Sequence, residues 1–170
     1  EETVEAPEMK EDLELETAAT HSVDCLATNP WTSDNSLPTS GNYYLTKDVT
    51  LTGLGATVSG ELTICLNGYK ITQTTDNMVF NVPAGKTLSI KDCDTINTGA
   101  IVGHSTEGTA YAVRVDGTVN LYNGTVTGNN GAAGVYQNGT MTIANDTKVS
   151  GNTGADGNPC NVYLTVGKTI

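Results

Sequence analysis

The sequence predicts an all-β chain, a right-handed parallel β-helix (solenoid) of about four to five coils with an N-terminal cap. Three observations predict it. A short apolar strand runs into a glycine, and a second strand leaves with its apolar residues in alternation, five times: residues 57–64, 80–90, 113–121, 135–143 and 164–170. The turn glycines of these copies, Gly60, Gly85, Gly117, Gly139 and Gly167, are 25, 32, 22 and 28 residues apart. A constant unit at irregular spacing marks a solenoid whose loops vary while its rungs stay. Finally, 37% hydrophobic content with 19 Gly, one Phe and one Trp suits a narrow aliphatic column better than a thick aromatic interior. A β-sandwich does not explain five copies of one unit. Left-handed solenoids carry tight hexapeptide repeats, and this chain has none.

The elements follow in order. Residues 1–20 read as a flexible acidic leader: eight acidic residues fall between Glu1 and Glu16 against Lys10 alone, and Met9, Leu13 and Leu15 make only a weak helical stripe. Residues 21–40 hold Cys25, Pro30, Trp31 and Pro38 with little periodicity. They read as a cap, because an open solenoid end exposes apolar core and unpaired strand edge; Trp31 and Leu37 are the natural plugs. Residues 41–170 form the β-helix. Its corners are Asn67-Gly68, Asn123-Gly124 and Asn145-Asp146, residue types that tolerate positive φ. Alternation places Leu62 and Ile64, Leu88 and Ile90, Val119 and Leu121, and Met141 and Ile143 inward, stacked at about 4.8 Å. The longest excursions, about 94–110 and 151–161, read as loops. The chain opens on Glu1-Glu2-Thr3, as a mature N-terminus would after signal removal, and stops inside a strand at Ile170, as a piece of a longer protein would.

Charge and cysteines limit the function classes. The net charge is -11, of which the first sixteen residues carry all but about -4. The body has no basic stripe, so nucleic acid is not an expected partner. No run is apolar enough to insert in a membrane. Four cysteines amid many Thr, Asn and Gly residues suit an exported protein. None forms a C-x-x-C pair and there are two histidines, so neither a zinc site nor any cofactor is expected. Cys25, Cys65, Cys93 and Cys160 allow three pairings. Cys65 and Cys93 lie on corresponding strands of adjacent coils and are the candidate disulfide, though their registers differ by about two residues; one or more cysteines staying reduced is the open alternative.

Candidate chemistry is sparse. Asp92 and Asp94, flanking Cys93 beside Lys91, are the one close carboxylate pair on the body and fit one face of an extended strand. A corner role accounts for them more simply, and His104 has no evident carboxylate partner, so no catalytic residue is assigned. Recurrent Thr-x-Thr pairs would suit an ice-binding face, but the coils vary too much in length for one flat array. Registering the copies on their glycines places Thr57, Asn81, Arg114 and Tyr136 in one outward column. Thr63, Ser89, Asn120 and Thr142 form a second, and Cys65, Lys91 and Tyr122 a third. Arg114, Tyr122 and Tyr136 with Lys91 are the candidate ligand-binding patch, of residue types enriched at interfaces. A one-residue register error would turn these side chains inward.

With these residues in view, the chain resembles the right-handed parallel β-helix (pectate-lyase-like) repeat regions of cell-surface, adhesin-like proteins from Gram-positive gut bacteria. The matching segments are Leu62-Thr63-Ile64-Cys65-Leu66-Asn67-Gly68, Gly124-Thr125-Val126-Thr127-Gly128-Asn129, Lys148-Val149-Ser150-Gly151-Asn152-Thr153 and Asn161-Val162-Tyr163-Leu164. They span about residues 38–170. The resemblance implies a secreted or cell-surface bacterial protein. The expected function is a non-enzymatic, adhesin-like module binding a host glycoprotein, such as immunoglobulin or mucin, or a polysaccharide. The same fold carries lyases and hydrolases, so a polysaccharide lyase or glycoside hydrolase fragment is the alternative, and a structural spacer without ligand a further one.

Overall fold

A computed structural model describes residues 25, 27–94, 98–104 and 110–170. The expected leader at 1–20 lies outside the described residues, as do residues 95–97 and 105–109 of the first expected loop. The chain is all-β, with strands stacked in three parallel sheets, an arrangement consistent with a parallel β-solenoid. The first sheet holds β1 (Asn29–Trp31), β2 (Gly41–Leu45), β5 (Glu61–Cys65), β8 (Thr87–Lys91), β11 (Thr118–Tyr122) and β14 (Thr140–Ala144). The second holds β3 (Val49–Leu51), β6 (Lys70–Gln73), β9 (Ala100–Val102), β12 (Thr125–Thr127) and β15 (Lys148–Val149). The third holds β4 (Ala56–Thr57), β7 (Phe80–Val82), β10 (Tyr111–Val115), β13 (Ala133–Gln137) and β16 (Val162–Leu164). From β2 onward the chain visits the three sheets in turn, and each strand pairs parallel with its counterpart in the next turn of chain.

Alternation along the first sheet makes the core. Leu62, Leu88, Val119 and Met141 are register partners in succession, as are Ile64, Ile90, Leu121 and Ile143. All are buried except Ile143, which packs half-covered against the cluster. The single Phe, Phe80, is fully enclosed on β7. Trp31 and Leu37 pack against this core; the Trp31 indole N–H donates to the Ser36 carbonyl at 2.9 Å and its ring meets Tyr43 edge-on.

Asparagine makes the corners. Asn67, Asn123 and Asn145 adopt φ of 52°, 73° and 56°, the left-handed region an Asn reaches more easily than other side-chain-bearing residues. Asn67 donates its amide to the Leu45 carbonyl and Asn123 to the Asp92 carbonyl, so each corner is tied to the turn of chain before it. Gly139 is needed for space, because a Cβ there would overlap the Gly117 carbonyl of the preceding corner. Asn129 and Asn152 are buried at the second-to-third-sheet corners, where Asn152 accepts from the Asn129 backbone N–H and donates to the Val126 carbonyl.

One expectation about the elements is corrected. The span 94–110, expected as a loop, contains β9, whose Ala100-Ile101-Val102 run pairs with β6 and β12. Within the span 21–40, which shows little periodicity, β1 pairs with β2 through Trp31 opposite Leu45. The 151–161 excursion is a loop, closed by an antiparallel bridge between Thr153 and Pro159.

Candidate functional site

The glycine-based columns match the observed register. Thr57, Asn81, Arg114 and Tyr136 pair in succession across β4, β7, β10 and β13, and Thr63, Ser89, Asn120 and Thr142 across the first sheet. Cys65, Lys91 and Tyr122 pair likewise. The four candidate ligand-binding residues nevertheless divide into two pairs on different sheets. Arg114 and Tyr136 stand on the third, Lys91 and Tyr122 on the first, because the glycine corner between β10 and β11 turns the chain from one sheet to the next.

The third-sheet pair belongs to a larger aromatic column. Tyr136 stacks on Tyr163 of β16, centroids 5.7 Å apart and planes 7° from parallel, and meets Tyr111 at 4.8 Å with a 40° tilt. Such offset rings attract beyond their simple burial. The Arg114 guanidinium lies over Tyr136, 5.7 Å from its centroid, within cation–π range. A polar line holds it there: Arg114 Nε donates to Asp116 at 2.9 Å, the Asn138 amide donates to the other Asp116 oxygen at 2.9 Å, and Thr165 Oγ1 donates to Asn138 at 3.0 Å. The Asn138 hydrogen bond first, and Arg114 with it, holds the Asp116 carboxyl below its ordinary range. Burial, reinforced by Tyr136, pushes the Tyr111 phenol up. A hollow of about 170 Å³ adjoins it, lined by Asp76, Asn77, Met78, Ala110, Tyr111 and Arg114. Tyr111 and Tyr163 were not singled out from the sequence. Counting back from Gly167 as from Gly139 reaches Leu164, whereas Tyr163 is the true partner of Tyr136.

The first-sheet pair lines a cleft of about 420 Å³ with Cys25, Asp92, Cys93, Asn123 and Asn145. Lys91 Nζ is 5.9 Å from the Tyr122 centroid. Asp92 at its floor is 3% exposed and fully engaged by the corner. Its Oδ1 accepts from the Gly68 N–H at 2.8 Å and the Asp94 N–H at 3.3 Å, and its Oδ2 from the Gly99 N–H at 2.6 Å. Asp94 accepts from Thr98 Oγ1 at 2.7 Å. Both carboxylates thus serve the corner, the role that accounted for them most simply.

The candidate disulfide is corrected. Cys93 is bonded to Cys25, their Cα atoms 6.2 Å apart, and Cys65 and Cys160 remain thiols. Cys65 pairs in register with Lys91, so Cys93 lies beyond the end of β8, where it meets Cys25. Cys65 sits outside the main core in a small cluster with Cys25 and Ala27, flanked by Tyr44 and Cys93. The sulfurs of Cys25, Cys65 and Cys93 lie within 4.8 Å of one another, a convergence that the spacing of the three residues does not announce.

Among the described residues no helix is long and apolar enough to cross a membrane. Comparison with protein families, with curated proteins and with solved structures found no match.

Proposed function

We propose that the chain is a non-enzymatic, adhesin-like binding module of an exported bacterial surface protein. In this reading residues 41–170 form a right-handed parallel β-helix of about four to five coils, residues 21–40 cap it, and the resemblance to Gram-positive surface repeats reflects a shared role. The ligand is a glycan, free or on a host glycoprotein such as mucin or immunoglobulin. The observation that carries the reading is the third-sheet column: Tyr111, Tyr136 and Tyr163 in ring contact with a pinned Arg114. Rigid Tyr faces offer contact area at low entropic cost, and a held guanidinium adds directed donors for hydroxyl or carboxylate groups. Beneath Tyr111, Arg114 and Tyr136 the strands β10 and β13 are paired on both sides, and β16 under Tyr163 pairs with β13, so the face is largely preorganised and little ordering opposes binding.

The alternative, a polysaccharide lyase or glycoside hydrolase fragment, would use the first-sheet cleft with Lys91 and Tyr122. It needs a carboxylate free to act there, and the corner hydrogen bonds of Asp92 count against it. The test is a binding screen of the purified chain against immunoglobulin, mucin and immobilised plant glycans, with Tyr136→Ala and Arg114→Ala beside it. Saturable binding weakened about tenfold or more in both variants supports the reading, since a buried aromatic or Arg anchor typically contributes above ~1.4 kcal/mol. Binding unchanged in both removes this face from the account.

A further inference from the structure

Cys65 stands against a disulfide that does not include it. Its Sγ is 2.6 Å from Cys93 Sγ, while Cys93 is bonded to Cys25. Thiol–disulfide exchange needs this arrangement: an attacking sulfur in contact with one sulfur of an existing bond. We propose that Cys93 passes between two partners, Cys25 and Cys65, by intramolecular exchange, which releases the Cys25 thiol into the first-sheet cleft.

The step balances within the chain. Cys65 loses its proton to solvent and its thiolate attacks Cys93 Sγ. The Cys65–Cys93 bond forms as the Cys25–Cys93 bond breaks, and the electron pair leaves on Cys25, which takes up a proton. One disulfide and one thiol enter and one of each remain, so no oxidant or reductant is consumed.

The two bonds are not equivalent in what they hold. Cys25–Cys93 spans 68 residues and closes the longer loop of chain. Cys65–Cys93 spans 28 residues and ties one turn of chain to its neighbour. Cys25 and Cys93 line the cleft of about 420 Å³ beside Lys91, whose ammonium favours a thiolate leaving there, whereas Cys65 is fully buried. After exchange the free thiol is therefore the one lining the cleft. Burial pushes the Cys65 thiol up to about 11, so the attacking thiolate is scarce at neutral pH and the exchange is slow. Its rate rises about tenfold per pH unit until that value is approached.

The experiment uses the full chain with Cys160→Ser, which leaves one disulfide and one thiol. After incubation at neutral and at mildly alkaline pH the sample is quenched in acid, unfolded, labelled with N-ethylmaleimide and mapped by mass spectrometry. The expected result is label on both Cys65 and Cys25, with their ratio settling about tenfold faster per pH unit. In Cys65→Ser/Cys160→Ser no cysteine should take label, because the attacking group is gone. Label confined to Cys65 or to Cys25 alone after prolonged alkaline incubation overturns the proposal. Label on Cys25 in the double variant overturns it as well.

Discussion

Replacing Asp92 separates a corner-holding carboxylate from a catalytic one. Asp92 accepts three backbone N–H groups, from Gly68, Asp94 and Gly99, and so clasps the Asn67-Gly68 corner to the approach of β9. In Asp92→Ala the Gly99 N–H is left buried without this acceptor, and the Gly68 N–H is only partly open to water. An orphaned buried donor costs about 1–3 kcal/mol and a hydrogen bond to a charged acceptor contributes about 1.5–3. Discounting Asp94 and part of Gly68 for hydration gives about 3–5 kcal/mol. Asp92→Asn keeps the shape but turns an amide N–H₂ toward one of two donors, so about 2–3 kcal/mol is lost. At roughly 2–4 °C per kcal/mol for a domain of this size, the alanine variant should melt about 6–20 °C lower. Urea titration followed by circular dichroism reads both variants. Glycan binding by Asp92→Asn, measured well below its transition, should match the parent chain. An alanine variant within about 0.5 kcal/mol of the parent would refute the clasp.

Two further outcomes follow from the same geometry. In the chain-entropy model, Cys93→Ser removes a closed loop of 68 residues and should cost about 4 kcal/mol, whereas Cys25→Ser lets Cys65 close its 28-residue loop and should cost only about 1 kcal/mol; equal losses in urea titrations would contradict the shared partner. Asp116 titrates below its ordinary value when folded, so its contribution is present above the unfolded-state carboxylate value and fades as pH falls through the lower folded one. Asn138→Ala should move that titration upward in a carbon-detected NMR series, and an unmoved midpoint would show that Asn138 does not hold the carboxylate.

What the sequence made legible was whatever depends on strand alternation and corner chemistry. Leu62 through Met141 could be placed inward because period-two alternation is read directly from residue type. The column from Thr57 to Tyr136 could be aligned because each member lies close before its turn glycine, three residues for Thr57, Arg114 and Tyr136 and four for Asn81. Tyr163 stands four residues before Gly167, as Asn81 does before Gly85, so a three-residue count reaches Leu164 instead. Arg114 and Tyr122 were expected in one patch because both face outward close in sequence; outward means a different direction on each of the three stacked sheets. Strand β9 was hidden in a span rich in Gly, Ser and Thr, where the Ala100-Ile101-Val102 run is too short for a pattern. Cys25 meets Cys93 through a segment without periodicity, and no spacing rule reaches across such a segment.

The central claim is that the third-sheet tyrosines form the binding face, and hydroxyl-radical footprinting tests it most directly. The chain would be oxidised alone and with the tightest-binding glycan or glycoprotein of the panel, and each tyrosine read by mass spectrometry. The account predicts that oxidation of Tyr136 and Tyr163 falls several-fold on binding while Tyr122 in the first-sheet cleft is unchanged. Protection of Tyr122, with Tyr136 and Tyr163 as reactive as before, would contradict it.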